Sequence, residues 1–326
     1  MVTDRYLNWL LSLIYAFLFV YVIPWVDLNG GEFLDIQSYL EQITYIHEGG
    51  KEAEVSGIQL ILHEPLWRAV VIFIGDTFTN YRDALYIISF FTVFVYTSFL
   101  IKRVEFYIAM IFLINPMMVN LFIEQVRSVF AFSIVLIAYD LASSSKERYP
   151  KLPIALLVVA SLIHASMPLF YIFYYILYRY NSRIQDYKYY FIALVFGLFI
   201  ALFMKYGITY ILTMLGDRHA NYDEYIAGAS IAYSIAWMVI ASILGTFGDF
   251  SNRDRRVVVA YSIMIMSYFF FASALGIFAT RFVAIIMPFI IISIGYLPKH
   301  IKQWTYLFLL LYNIYSFKYW FQFYIL

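Results

Sequence analysis

Cysteine is absent from the 326 residues. That excludes disulfides, cysteine-based metal sites and thiol chemistry. Charge is scarce as well: only 13% of residues are Asp, Glu, Lys or Arg, while 63% are hydrophobic, and the mean hydropathy is +0.77. Soluble domains run near 25% charged and roughly 45–50% apolar. No hydrophilic stretch is long enough for a separate soluble domain of ordinary size. A net charge of +1 carries no basic signature, and nucleic acid is not an expected partner. No H-E-x-x-H or other ligand cluster occurs, so neither a metal nor a cofactor is expected. No internal repeat is visible, nor the paired broken helices of inverted-repeat transporters.

What the chain has instead is apolar runs of membrane-spanning length, recurring from end to end. The expected fold class is therefore all-α: a polytopic transmembrane helical bundle, with residues 1–326 forming a single integral membrane domain in the lipid bilayer. Residues 7–23 are too long and too aromatic for a cleaved signal and read as a retained first span. Spans are expected at 6–25, 84–101, 105–121, 125–142, 188–212, 231–249, 256–276, 281–298 and 303–321. Segment 150–182 carries basic clusters at both ends, so the positive-inside rule puts both ends in the cytoplasm. Two short helices meeting near His164-Ala165-Ser166 satisfy this, with Pro168 in the first turn of the second. Segment 58–75 must begin and end outside, because a full crossing would invert every later basic cluster. It reads as a re-entrant or interfacial helix. The result is about eleven spans with the N-terminus inside, or ten if one of these two segments runs otherwise. Segments 26–83 and 213–230 then face out. Aromatic residues make up 21% and are expected mainly at lipid-facing and interfacial positions.

Five arginines stand apart from the cytoplasmic clusters, at outer ends of apolar runs: Arg68, Arg82, Arg127, Arg218 and Arg281. Arginine there suits an anionic ligand such as a lipid-linked phosphate, through two parallel charge-assisted hydrogen bonds. Arg127 and Arg281 each open an apolar helix, where free backbone N–H groups add to the attraction. The plainer alternatives are local: Arg127 with Glu124, Arg68 with Glu64 one turn away, Arg218 with Asp217, and Arg82 as a solvated turn residue beside Asp83. Arg218 and Tyr222 belong to a polar outer loop placed to cover a site. His164 is the one histidine inside an apolar segment, and it suits proton transfer near neutral pH or, alternatively, a structural hydrogen bond to backbone. Asp35 and Tyr39 share a helix face if 33–47 is helical, and Glu64 precedes Pro65 at a helix start. Either carboxylate can accept a proton or bind sugar hydroxyls.

Arg127 followed by Ala131 and an apolar run, a basic loop, and then Leu162-Ile163-His164-Ala165-Ser166 resembles the EpsG/Wzy group of polysaccharide polymerases. Asp35-x-x-x-Tyr39, Glu64-Pro65-Leu66-Trp67 and Arg281 at a late span resemble the same group, and the likeness covers residues 25–295. One departure is Arg127-Ser128, where the group often has Arg-Gln; Gln125 is near. The resemblance implies a GT-C-like glycosyltransferase at the outer face of the bacterial inner membrane. Such an enzyme moves a growing glycan from polyprenyl pyrophosphate to a new lipid-linked repeat unit, with inversion and without a metal. It implies lipid-linked oligosaccharides as donor and acceptor, and a chain-length regulator protein as partner. Arg127 and Arg281, with Arg218, would then meet pyrophosphate. His164, or alternatively Glu64 or Asp35, would take the proton. A lipid-linked oligosaccharide flippase or other transporter, an O-antigen ligase and a membrane O-acyltransferase are the competing classes. A flippase needs polar residues along a path through the bilayer, whereas here they gather at one face, with Lys205 as the exception.

Overall fold

A computed structural model describes residues 2–50, 63–144, 151–180, 186–214, 231–277 and 279–321. Among them the regular structure is helical throughout, with no strand. The chain divides into two units, Met1–Ile172 with Asn313–Leu326, and Phe173–Tyr312.

The first unit holds α1 (Val2–Phe17, extended by a π-helical turn Leu18–Val22), α2 (Trp25–Leu28), α3 (Leu34–His47), α4 (Pro65–Thr77), α5 (Tyr81–Ile101), α6 (Phe106–Leu113), α7 (Pro116–Val119), α8 (Val126–Ser144) and α9 (Lys151–Ile163). It also takes the start of α10 (Met167–Tyr180). The second unit continues with α11 (Asp186–Leu202), α12 (Thr209–Met214), α13 (Ile231–Phe247), α14 (Arg253–Ala274), α15 (Thr280–Ile285), α16 (Met287–Gly295) and most of α17 (Lys299–Trp320).

Among the described residues, four helical stretches are long and apolar enough to cross a membrane: Tyr81–Ile101, Val126–Ser144, Lys188–Gly207 and Arg253–Ala274. A fifth is the pair Phe106–Leu113 and Pro116–Glu124, if its bend of 76° lies within one broken span. That bend interrupts the continuous span expected at 105–121, and Asn115-Pro116 is its cause. The Asn115 side chain donates to the Phe112 carbonyl at 2.8 Å, closing α6, and accepts from Met118 N at 3.1 Å, opening α7. Pro116 sits at the first helical position, where its missing N–H costs nothing. The span expected at 281–298 is likewise two helices, α15 and α16, meeting at Ile286 with Pro288 just beyond. Segment 150–182 is the expected pair, α9 and α10, with His164 to Ser166 between them. Helix α4 has 13 residues. It rises roughly 20 Å, short of the ~30 Å hydrocarbon core, in keeping with an interfacial or re-entrant helix.

In the first unit, α5 packs against α1 and α8, α8 against α9, and α4 against α3 and α9. The seams are filled by rings: Phe122 meets Phe19 and Tyr96 edge-on at 5.5 and 5.1 Å, and Phe132 meets Phe170 at 5.4 Å. Much of the aromatic content is therefore core as well as lipid-facing surface. At the far end of α8 from Arg127, Asp140 pairs with Lys102 Nζ at 2.6 Å and with Arg103. The expected cytoplasmic cluster after α5 thus shares an end of the unit with the last turns of α8.

In the second unit α14 is the central helix: 83% of its apolar window is buried, against 22% for Lys188–Gly207. It packs on α11, α13 and α16. Gly197 lets α11 approach closely, since a Cβ there would lie 2.0 Å from Ser267 Oγ and 2.6 Å from the Met264 carbonyl. Ser262 and Ser293 share a hydrogen bond of 2.8 Å between α14 and α16. Small residues and hydroxyl pairs of this kind hold helices together in lipid. Gly276 ends α14 at φ +76°, with Ile277 N donating to the Ala272 carbonyl and Gly276 N to that of Ser273. This left-handed cap favours glycine. Lys205 Nζ donates to the Leu275 carbonyl at 2.6 Å, so its charge is spent on the exposed carbonyls at that helix end.

Candidate functional site

Three residues singled out from the sequence meet in the first unit. Glu64 stands immediately before α4, Arg127 in the first turn of α8, and His164 in the gap between α9 and α10. Glu64 Oε2 lies 2.6 Å from Arg127 Nη1. Glu64 Oε1 lies 2.5 Å from His164 Nδ1 and accepts the Ala165 backbone N–H at 3.0 Å. One carboxylate therefore ties a helix start to the break between α9 and α10, a hundred residues further on.

Each partner is delivered by a local break in regular structure. Glu64 has φ 54° and ψ 63°, the one positive φ outside glycine among the described residues. Left-handed backbone is uncommon for such a side chain, and proline at the next position restricts it further. Backbone strain of this kind costs on the order of 1–3 kcal/mol and is held only where the surroundings demand it. Here the demand is visible: the conformation starts α4 at Pro65 and brings the carboxylate to two distant segments. Arg127 follows a π-helical turn at Asn120–Glu124 and an irregular Gln125, which restart the helix at Val126. Single π turns of this type gather at functional sites. His164 stays tied to the hairpin through its backbone, from His164 N to the Ala160 carbonyl and from Met167 N to its own.

The Glu64 side chain is 10% exposed, that of His164 19%, and that of Arg127 30%. The carboxylate is enclosed while both partners reach the surface. Burial alone would raise the Glu64 pKa. The hydrogen bond and charge of His164, the charge of Arg127 and the Ala165 N–H outweigh it, so the group titrates below the usual carboxylate range. An ionised Glu64 accepts a hydrogen bond from Nδ1–H, which puts the lone pair of a neutral imidazole on Nε2. Arg127 Nε is buried with no hydrogen-bond partner, and so is the Gln125 Oε1 two residues before it. The arrangement holds a histidine ring through a carboxylate, as a proton-transfer site does, and sets beside it a guanidinium able to take an anion.

The other expected residues fall as follows. Arg127 pairs with Glu64, a distant partner, where spacing offered Glu124. Arg68 is half-buried in the first turn of α4, its N–H bonded to the Glu64 carbonyl at 3.1 Å. Asp35 and Tyr39 do share a face of α3. Asp35 is half-buried, while Tyr39 is buried with its ring across Trp67 at 5.4 Å, so it helps fasten α3 to α4. Arg82 is paired with Glu32 at 2.6 Å instead of standing solvated in its turn. No spacing rule joins two charges fifty residues apart. Arg281 belongs to the second unit, half-buried in the first turn of α15. Arg218 and Tyr222 lie outside the described residues. Among the described residues no group of three or more His, Asp or Glu is placed to hold a metal ion. The sequence pointed to Glu64, Arg127 and His164 singly but not to their contact, and it missed the Ala165 N–H, whose role depends on the hairpin tip.

The model described as the EpsG family matches residues 9–325 of the chain, nearly its whole length. No curated protein and no solved structure matches it.

Proposed function

Because the chain belongs to the EpsG family, we propose that it is a polysaccharide repeat-unit polymerase, a glycosyltransferase of the bacterial inner membrane whose site faces outward. The family points at a coarse level to a membrane protein of polysaccharide-polymerase type. The observation that carries the finer reading is the meeting of Glu64, Arg127 and His164. In that reading the donor is a glycan on polyprenyl pyrophosphate and the acceptor a second lipid-linked repeat unit. The acceptor hydroxyl attacks the anomeric carbon from the side opposite the pyrophosphate, which inverts the centre. Its proton goes to a group of the Glu64–His164 pair, and the departing electron pair stays on a phosphate oxygen. Arg127 meets the charge that grows there. A preorganised donor of this kind is worth on the order of 10²–10³ in rate, and a positioned base on the order of 10²–10⁴.

Arg281 and Arg218 keep their assignment, on the sequence, to a lipid-linked pyrophosphate, of which the reaction has two. Asp35, Tyr39, Arg68 and Tyr222 are assigned to the sugars and the edges of the site. About eleven spans, a GT-C-like bundle acting as one membrane domain and a chain-length regulator as partner complete the proposal.

The test is deletion and complementation in the native strain, with surface polysaccharide resolved by length. Loss of the long ladder, with single repeats still reaching their acceptor, is the expected result. Loss of the single repeat as well would turn the reading towards a flippase or a ligase.

A further inference from the structure

The geometry points to Glu64 as a positioning residue that serves the base and the anion-binding arginine at once, and which substrate pyrophosphate displaces from Arg127. The inference rests on the polymerase reading and deepens it. Sequence left His164, Glu64 and Asp35 open as proton acceptors. The geometry distinguishes the first two. Both oxygens of Glu64 are already engaged, Oε1 by His164 Nδ1 and Ala165 N, Oε2 by Arg127 Nη1. Its side chain is also more enclosed than those of His164 and Arg127. A carboxylate in that position orients a ring; it is badly placed to meet a sugar hydroxyl. In this proposal His164 takes the proton through Nε2 and Glu64 stabilises the imidazolium that forms.

The second oxygen gives the arrangement its further property. Arg127 without substrate is held by Glu64 Oε2 at 2.6 Å, which keeps a guanidinium neutralised and aimed. A pyrophosphate arriving at Arg127 brings more negative charge than the carboxylate and matches the flat face of the guanidinium in two-point contact. It therefore competes with Oε2. When Oε2 is released, the full carboxylate charge falls to His164. Proton uptake by the base is thus favoured only when the leaving group is in place. During transfer the new C–O bond forms as the acceptor oxygen loses its proton to Nε2, and the bond from the anomeric carbon to the pyrophosphate oxygen breaks with its electron pair on that oxygen.

The proposal makes binding and turnover move in opposite directions on one substitution. Glu64→Gln keeps the shape and an acceptor for Nδ1–H but removes the competing charge. The full-length protein in detergent should bind inorganic pyrophosphate roughly three- to tenfold more tightly, while transfer with lipid-linked repeats slows at least about tenfold. Glu64→Asp keeps the charge and shortens the reach: transfer should fall, with pyrophosphate affinity within about twofold of wild type. Should the glutamine variant fail to accumulate folded, the aspartate variant carries the test. Glutamine-variant affinity equal to or weaker than wild type overturns the proposal, as does joint loss of affinity and transfer in the aspartate variant, or a wild type that does not bind pyrophosphate. The two readings fail separately. A wild type that shows the affinity pattern without elongating glycans removes the polymerase and leaves the competition. An elongating wild type whose glutamine variant binds more weakly removes the competition alone.

Discussion

Arg127 and Asp140 stand near opposite ends of α8, and each is fastened there to a distant segment. Arg127 meets Glu64 from the start of α4 at 2.6 Å, and Asp140 meets Lys102 from the end of α5 at 2.6 Å. Thirteen residues of helix separate them by roughly 20 Å. One end of α8 is thus tied by basic residues of the expected cytoplasmic cluster, and the other by the group proposed to carry the chemistry. Helix α5 runs towards the Asp140 end and α8 returns to it, so the chain between Lys102 and Arg127 leads from one end of α8 to the other.

Replacing Arg127 by lysine keeps the charge and loses the flat two-point contact. Glycan elongation in membranes should fall at least about tenfold, with the protein still present at wild-type level. A lysine variant with a wild-type ladder would rule out the two-point role.

His164→Asn removes the proton acceptor. Transfer should slow by on the order of 10²–10⁴, and lipid-linked single repeats should accumulate. Quantifying the unextended lipid-linked repeat by mass spectrometry checks this. Wild-type elongation by the asparagine variant would leave His164 a purely structural residue of the hairpin tip.

Acid should weaken the protein through Glu64. Burial raises the pKa of this carboxyl, but His164, Arg127 and the Ala165 N–H together bring it below the usual 4.5. The unfolded chain then takes up the proton first. The stability contributed by the ionised group is present above the unfolded value and is lost as pH falls through the lower, folded one. Thermal unfolding in detergent, followed downward from about pH 6, should show the wild type losing Tm more steeply below ~4.5 than Glu64→Gln, which has no proton to take up. Parallel curves would contradict the assignment.

Gly197→Ala should destabilise the second unit, because the new Cβ would lie 2.0 Å from Ser267 Oγ and 2.6 Å from a backbone carbonyl. Overpacking of this kind costs about 1–3 kcal/mol. Gly197→Ala with Ser267→Ala should recover only part of it, because the carbonyl of Met264 cannot be trimmed away. Full recovery in the double variant, read from thermal unfolding, would mean that the hydroxyl alone sets the spacing.

Much of this was legible in the sequence because it depends on local rules. Basic clusters on both flanks of 150–182 called for two helices broken near His164, and α9 and α10 are separated there by His164 to Ser166. Helix starts at Pro65, Pro116 and Val126 follow from proline and from the placement of polar residues ahead of apolar runs. The bends were less visible. Apolar content continues through Asn115 and through Ile286, so a hydropathy reading runs straight across both, although Asn-Pro at 115–116 is a break signal. The pairings were not legible at all. Arg127 had a nearby carboxylate at Glu124 and Arg68 one at Glu64, so local spacing supplied plausible partners. The contacts of Glu64 come instead from the packing of α4 against α9, a long-range fact that spacing does not encode.

The left-handed start of α4 also sets an order of events during synthesis. Glu64 leaves the ribosome 63 residues before Arg127 and a hundred before His164. Until Arg127 and then His164 follow, the newborn chain holds an acid beside an apolar helix with its lasting partners still to come. Such a group resists losing its proton and resists burial. The α4 segment therefore stays at the membrane surface until α8 and then the hairpin tip arrive to claim its two oxygens. A transcript cut short before codon 151 yields a product that cannot make this closure.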